Sequence, residues 1–286
     1  MRKNRSNLLF VSCLAIAGIL LLQMAMYVLH VMLGFQLRFN LFEICTMWLE
    51  SLGFGSLIYP MNGLVFYTLA GGAVLIARQL WLSRSMAGKL ASLRHDRLTE
   101  ELNRRYPEGP DDLTVIAHRE PMAFTMGFVA PRIVLSTGLL ELLDEQETEA
   151  VIHHERFHKR HRDPLRTYVL SLLASLMWYL PILKWLHRNY KLSRELLADD
   201  HAISAMGSSA FIGSALLKLL KRGSGRRERK MALAHVSFAD TSVNCRIRRI
   251  LGPQETVPLE WPITPLMVSL HVLALLTAMF FIGLIM

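Results

Sequence analysis

Three long apolar runs divide the chain, and each is about as long as a helix that crosses a membrane. They cover residues 8–33, 63–82 and 263–286. A bilayer core about 30 Å thick needs roughly 20 apolar residues in helical conformation. The first run follows a basic start and is longer than the apolar core of a cleavable signal peptide. The pattern therefore predicts a membrane region at residues 1–82 with two transmembrane helices, and a third transmembrane helix at 263–286.

The more polar region at residues 83–262 begins with a charged helical stretch and continues into a small predicted β-sheet. Its strands are short β-branched or aromatic stretches at 113–118, 122–129 and 132–136. Pro121 and Pro131 separate these stretches, and the pattern becomes helical after Gly138.

A helix is predicted to begin at Asp144, because Asp144 and Glu147 have the spacing of a capping box. Asp163-Pro164 marks the end of this helix. The candidate chemistry lies between these two signals.

Composition and charge agree with a membrane protein. Hydrophobic residues make up 52% of the chain and the mean hydropathy is +0.31, which is high for a soluble protein. The net charge of +9 comes largely from Lys and Arg that flank the apolar runs, so we expect contact with membrane lipids and no direct nucleic acid binding. The same bias predicts a multi-pass protein of the cell membrane, with residues 83–262 in the cytoplasm and residues 34–62 outside.

The sequence His154-Glu-Arg-Phe-His158 has the HExxH pattern of a metal site. Two histidines four positions apart lie on one face of a helix, so both can bind one ion, and Glu155 can reach a water bound to that ion. Zinc in such a site activates the water, and the carboxylate takes its proton as the water attacks a carbonyl. His153 and His161 are also present, so a histidine-rich surface helix is the competing interpretation.

A third ligand is expected because a catalytic zinc ion generally has three protein ligands and one open position. Glu195 and Asp199 lie four positions apart on a predicted helix. Glu195 would bind the ion and Asp199 would orient a ligand histidine. The three cysteines form no CxxC pair, so a thiolate site is not indicated. We predict one Zn²⁺ ion.

The apolar stretch at residues 167–186 tests this assignment. A single span there would place Glu195 across the membrane from His158, too far for one metal ion. Pro181 interrupts the stretch and leaves arms too short to cross alone. We therefore predict a helical hairpin at about residues 165–188 that returns Glu195 to the histidines.

The sequence resembles the BlaR/MecR-type antirepressor membrane metallopeptidases. The segments that carry the resemblance are 123–138, 154–164, 179–185 and 194–199. The most telling of them is the HExxH followed by a basic stretch and Asp163-Pro164. Antibiotic-sensing members continue into an external penicillin-binding domain; nothing follows Met286 here, so a β-lactam sensor is not expected.

The resemblance implies a gluzincin-like site that faces the cytoplasm, with Glu195 as the third ligand. It also implies a cytoplasmic protein substrate, often a transcriptional repressor, and a role in signal transduction. The strand at 123–128 would then either pair with an extended substrate or serve only as sheet core. The predicted fold is mainly α and membrane-embedded, with transmembrane helices and an α+β zincin-like metallopeptidase domain that contains a small β-sheet.

Three other functions stay open. HtpX-type membrane proteases share HExxH and ExxxD, and a likeness to them would imply quality control of membrane proteins. A non-catalytic metal-binding membrane sensor or scaffold is a second alternative, although structural zinc does not need Glu155. A channel or transporter is a third, suggested by His30, Arg78 and His271 in or near the apolar runs.

Overall fold

The computed structural model describes residues 2–34, 40–109, 112–227, 233–252 and 262–285, which are mainly helical with one small sheet. The helices before the sheet are α1 (Arg2–Leu33), α2 (Leu41–Ser51), α3 (Ile58–Ser92) and α4 (Asp96–Arg105). The strands are β1 (Leu113–Ile116), β2 (Ala123–Met126) and β3 (Arg132–Ser136). The helices after the sheet are α5 (Thr137–Leu142), α6 (Glu145–Arg160), α7 (Asp163–Leu176), α8 (Pro181–Met206), α9 (Ser209–Arg227), α10 (Leu233–Leu251) and α11 (Ile263–Ile285). A mainly α protein with a small sheet is therefore confirmed.

The chain forms two compact units. The sheet unit comprises Met1–Ser6, Leu82–Thr167 and Lys191–Leu259, and the helical unit comprises Asn7–Trp81, Tyr168–Tyr190 and Glu260–Met286. The sheet unit therefore contains the HExxH helix and the part of α8 that follows Tyr190.

Two described helices of the chain are long and apolar enough to cross a membrane. They are Asn4–Leu33 and Gly55–Ser92, whose most apolar 18-residue stretches have mean hydropathies of 2.4 and 1.4. Both contain predicted spans. The apolar stretch described within α11, Ile263–Leu275, is shorter, so the third span stays a prediction.

The apolar stretch at residues 167–186 forms most of α7, a tight turn and the start of α8, and its arrangement as a hairpin stays a prediction. The amide of Leu180 donates to the carbonyl of Met177 in the turn, and Pro181 begins α8. Residues 168–190 belong to the helical unit, whereas the sequence had placed them with the rest of 83–262. The physical reason is their apolar surface: Leu170 and Met177 are fully buried in one cluster with Cys13 and Ala17 of α1.

The sheet has the order β1-β3-β2, with β3 parallel to β1 and antiparallel to β2. Ile133 and Leu135 of the central strand are fully buried against Ala150 and Ile152 of α6, in a core built from both elements. β2 therefore forms one edge of this sheet, and the sheet supports the helix that carries the HExxH sequence.

Helix α6 starts at the predicted capping box, which is confirmed. The Asp144 carboxylate accepts from the Glu147 amide at 2.8 Å, and the Glu147 carboxylate accepts from the Asp144 amide at 3.0 Å. Glu147 also accepts from Ser214 and Lys218 of α9. Burial by itself would raise the pKa of Glu147, but the hydrogen bonds from Lys218 and Ser214 hold it below its ordinary value. These bonds tie the start of α6 to α9.

Candidate active site

Three predicted ligands lie together in the sheet unit. His154 and His158 stand one turn apart on α6 with their Nε2 atoms 3.2 Å apart. Glu195 of α8 lies with its carboxylate oxygens 3.6 Å from Nε2 of His154 and 3.9 Å from Nε2 of His158. Ligand atoms of a tetrahedral zinc ion, bound at about 2.0–2.1 Å, are about 3.4 Å apart. The two nitrogens and one carboxylate therefore fit one zinc ion. Among the described residues, these three side chains form the group whose ligand atoms lie close enough together to hold a metal ion.

Carboxylates orient both imidazoles. Asp199 Oδ1 lies 2.9 Å from Nδ1 of His154, as the sequence predicted for Asp199. Asp163 Oδ2 lies 2.8 Å from Nδ1 of His158. A carboxylate on one ring nitrogen fixes the tautomer and turns the other nitrogen toward the metal. Asp163 thus has a role at the site that was missed from the sequence, because Asp163-Pro164 was interpreted as a helix boundary and as part of the family resemblance.

Two arginines, also missed from the sequence, balance these acids. Arg194 is buried, donates from Nε to Asp163 at 2.9 Å, and stacks its guanidinium 4.4 Å from the centre of the Phe157 ring. Arg246 of α10 donates two hydrogen bonds to Asp199, at 2.8 and 2.7 Å, and its Nη1 lies 3.2 Å from Glu195. A role for Arg194 at the site could have been predicted from the sequence, because Arg194 directly precedes Glu195. Arg246 lies 47 residues from Asp199 in an arginine-rich stretch that has no recognisable pattern.

The charges of the clustered side chains and the pKa values of His154 and Glu195 favour the binding of a cation. Burial by itself would lower the pKa of His154, but the hydrogen bonds to Asp199 and Glu195 raise it to about 9. Burial would raise the pKa of Glu195, yet its hydrogen bond to His154 and the nearby positive charges hold it well below its usual range. Glu195 is therefore ionised at neutral pH, and a metal ion would compete with the proton of His154.

Glu155 follows the first ligand histidine and is 8% exposed. Its carboxylate Oε2 accepts a hydrogen bond of 2.8 Å from the hydroxyl of Thr125. Thr125 lies in β2, so the edge strand packs beside the candidate general base. His153, in contrast, lies 3.8 Å from Glu149 and near the ring of His201, outside the metal cluster.

Arg246→Met is expected to destabilise the zinc-free protein strongly. It would leave Asp199, with only 1% of its side chain exposed, without its bidentate partner, and breaking a buried ion pair in this way costs about 3–5 kcal/mol. The midpoint of thermal unfolding in detergent should fall by several degrees without zinc and by less with zinc, since the dication supplies positive charge to the same acids. Arg248→Met, on the exposed side of α10, is the matched control. Equal midpoints for the two variants would contradict the role of Arg246.

Fold and site together define a class: a mainly helical protein with a candidate metal centre on a helix that a small sheet supports. The sequence model of the BlaR1 peptidase M56 family matches residues 56–250, more than half of the chain. The chain belongs to this family. The predicted resemblance is thereby confirmed.

Relatives come from two groups of proteins. A "Protease HtpX homolog" of Pyrobaculum aerophilum is 26% identical over 208 residues, which cover 72% of this chain and 59% of that protein. A "Protease HtpX homolog" of Archaeoglobus fulgidus is 32% identical over 111 residues, covering 37% of this chain and 31% of that protein. The "Regulatory protein BlaR1" of Bacillus licheniformis is 25% identical over 150 residues, covering 51% and 25%. The chain thus spans less than two thirds of these relatives, which support a membrane metallopeptidase and favour neither group.

Proposed function

We propose that this protein is a membrane-anchored zinc endopeptidase that cleaves a cytoplasmic protein. The observation that carries the proposal is the convergence of His154, His158 and Glu195. Glu155 follows His154 on α6, contacts Thr125 through its carboxylate and is not a member of the cluster. A structural zinc site usually has four protein ligands, whereas three ligands leave a position open for catalysis. The arrangement therefore supports an enzyme over a metal-binding scaffold.

In the proposed reaction, a zinc ion would supply a Lewis acid that polarises the substrate carbonyl and lowers the pKa of a water molecule. Glu155 takes a proton from the attacking water and returns it to the nitrogen of the leaving amine. Asp199 and Asp163 hold the two imidazole rings in a fixed orientation through their contacts with Nδ1. β2 has one edge that no described strand covers, and an extended substrate backbone can add to the sheet there.

The substrate proposed first is a soluble protein, such as a transcriptional repressor, in a signalling pathway. Membership of the BlaR1 peptidase M56 family supports it. The alternative is quality control of membrane proteins, supported by HtpX homologues that match as much as 72% of this chain. Cleavage of one cytosolic protein at a single site would favour the first function, and degradation of many damaged membrane proteins would favour the second.

The anchoring and orientation belong to the same proposal. Two described helices have the length and hydropathy of membrane spans, and Lys and Arg gather after the second span. We propose a multi-pass protein of the cell membrane with the sheet unit in the cytoplasm.

Purified protein in detergent is expected to contain about one zinc ion per chain and to cut labelled casein. His154→Ala should lose both zinc and cleavage, because the variant lacks one of three ligands. His153→Ala is the matched control, since that neighbouring histidine lies outside the cluster. Zinc is measured by elemental analysis, and activity is measured again after chelation and after zinc is restored. Wild-type protein that binds no zinc, or His154→Ala that cuts as well as wild type, would refute the peptidase.

A further inference from the structure

The carboxylate of Glu155 has a single hydrogen-bond donor among the described residues. That donor is the hydroxyl of Thr125, 2.8 Å from Oε2. Arg246 acts on Glu155 only through its charge. A glutamate has three side-chain torsions, and fixing one carboxylate oxygen restricts the last two of them. The other oxygen, Oε1, accepts no hydrogen bond from the described residues and is available to an attacking water.

The hydroxyl of Thr125 lies between two acceptors that belong to the same residue. It is 2.8 Å from the carboxylate of Glu155 and 3.0 Å from its backbone carbonyl. A hydroxyl has one proton and can rotate between them. It can therefore donate to either oxygen without any movement of the backbone.

The position of Thr125 in a strand makes this contact stiff. Thr125 pairs with Ile133 of β3 in the antiparallel ladder, and a β-branched side chain in a strand has restricted rotation about χ1. The hydroxyl is therefore held by the sheet and approaches α6 from a fixed direction. A serine at the same position would have the hydroxyl without the branch.

We infer that Thr125 is a positioning residue that holds the Glu155 carboxylate in the orientation for proton transfer. This inference rests on the proposed peptidase function and deepens it. Because Thr125 belongs to the edge strand β2, the strand that would pair with a substrate backbone also orients the general base. Substrate binding and alignment of the base thus share one rigid element, and a small error in that alignment is costly to the rate.

Thr125→Val is expected to lower kcat for casein cleavage roughly tenfold with little change in KM or in zinc content. Valine has nearly the shape of threonine and no hydroxyl. Thr125→Ser, which restores the hydroxyl, should stay within about threefold of wild type. Thr114→Val in β1 is the control, because it makes the same change in the same sheet away from Glu155. A Thr125→Val enzyme as fast as wild type, or a Thr125→Ser enzyme as slow as Thr125→Val, would overturn the inference.

Infrared spectroscopy gives a second readout that needs no activity. The infrared difference spectrum between the zinc-free protein and its zinc-free Glu155→Gln variant isolates the carboxylate band of Glu155. We expect this band to shift in a Thr125→Val background and to stay in place in a Thr114→Val background. The two proposals fail separately. Wild-type protein that does not cut casein overturns the peptidase, whereas active wild-type protein with an unmoved band overturns the role of Thr125.

Discussion

Glu155→Gln is expected to keep its zinc ion and to cleave casein on the order of 10²–10⁴ times more slowly than wild type. Glutamine has the shape of glutamate but cannot take a proton from water at neutral pH. Zinc should stay because the cluster of His154, His158 and Glu195 is intact. Thr125 can still donate to the amide oxygen, so the side chain should keep its place.

The measurement is initial rate and zinc content on the same preparation. Glu149→Gln is the matched control: Glu149 lies on the same helix, and its contact is with His153, outside the cluster. Full activity of Glu155→Gln would assign the general base to another group. Loss of zinc from this variant would instead make Glu155 part of the metal site.

Glu195→Ala should bind zinc more than about 100-fold more weakly than wild type, and its cleavage should fall in parallel. Loss of a hydrogen-bonding partner of a ligand already costs about 10–100-fold in metal affinity, and loss of a ligand costs more. Only the histidines of α6 would remain, at an Nε2 separation of 3.2 Å. Competition with a chromophoric chelator measures the affinity.

Asp200→Asn provides the comparison for this variant. Asp200 is on the same helix, with its carboxylate 3.4 Å from Nε of Arg249 and outside the cluster. If Glu195→Ala binds zinc as tightly as Asp200→Asn, Glu195 is not a ligand. The requirement that the chain fold back at Pro181 to complete the site would then be lost as well.

Much of the site was visible in the sequence because its features are local. His154 and His158 share a helix face through their spacing alone, and the same holds for Glu195 and Asp199. The capping box at Asp144 also depends on residues three positions apart. The predicted hairpin also rests on local signals. Pro181 interrupts an apolar stretch, and a single crossing of the membrane by that stretch would separate Glu195 from His158.

Other features depended on packing between distant elements. Thr125 meets Glu155 across 30 residues, and Arg246 meets Asp199 across 47. No rule of sequence spacing predicts either pairing. Each pairing depends on which face of β2 packs against α6, or which face of α10 packs against α8. The role of Asp163 was hidden for a different reason, since a residue that marks a helix end and a residue that orients His158 look the same in a sequence.

The sequence by itself predicted a metal site, the residues that share one face of each helix and the need for the chain to turn back. Those properties follow from residue types and from the fixed geometry of a helix. The tertiary structure alone decided that residues 168–190 pack with the helical unit, that Arg194 and Arg246 neutralise the buried acids, and that Thr125 contacts the general base. Burial creates those arrangements, because ionised groups removed from water need partners that only the packing of separate elements can supply.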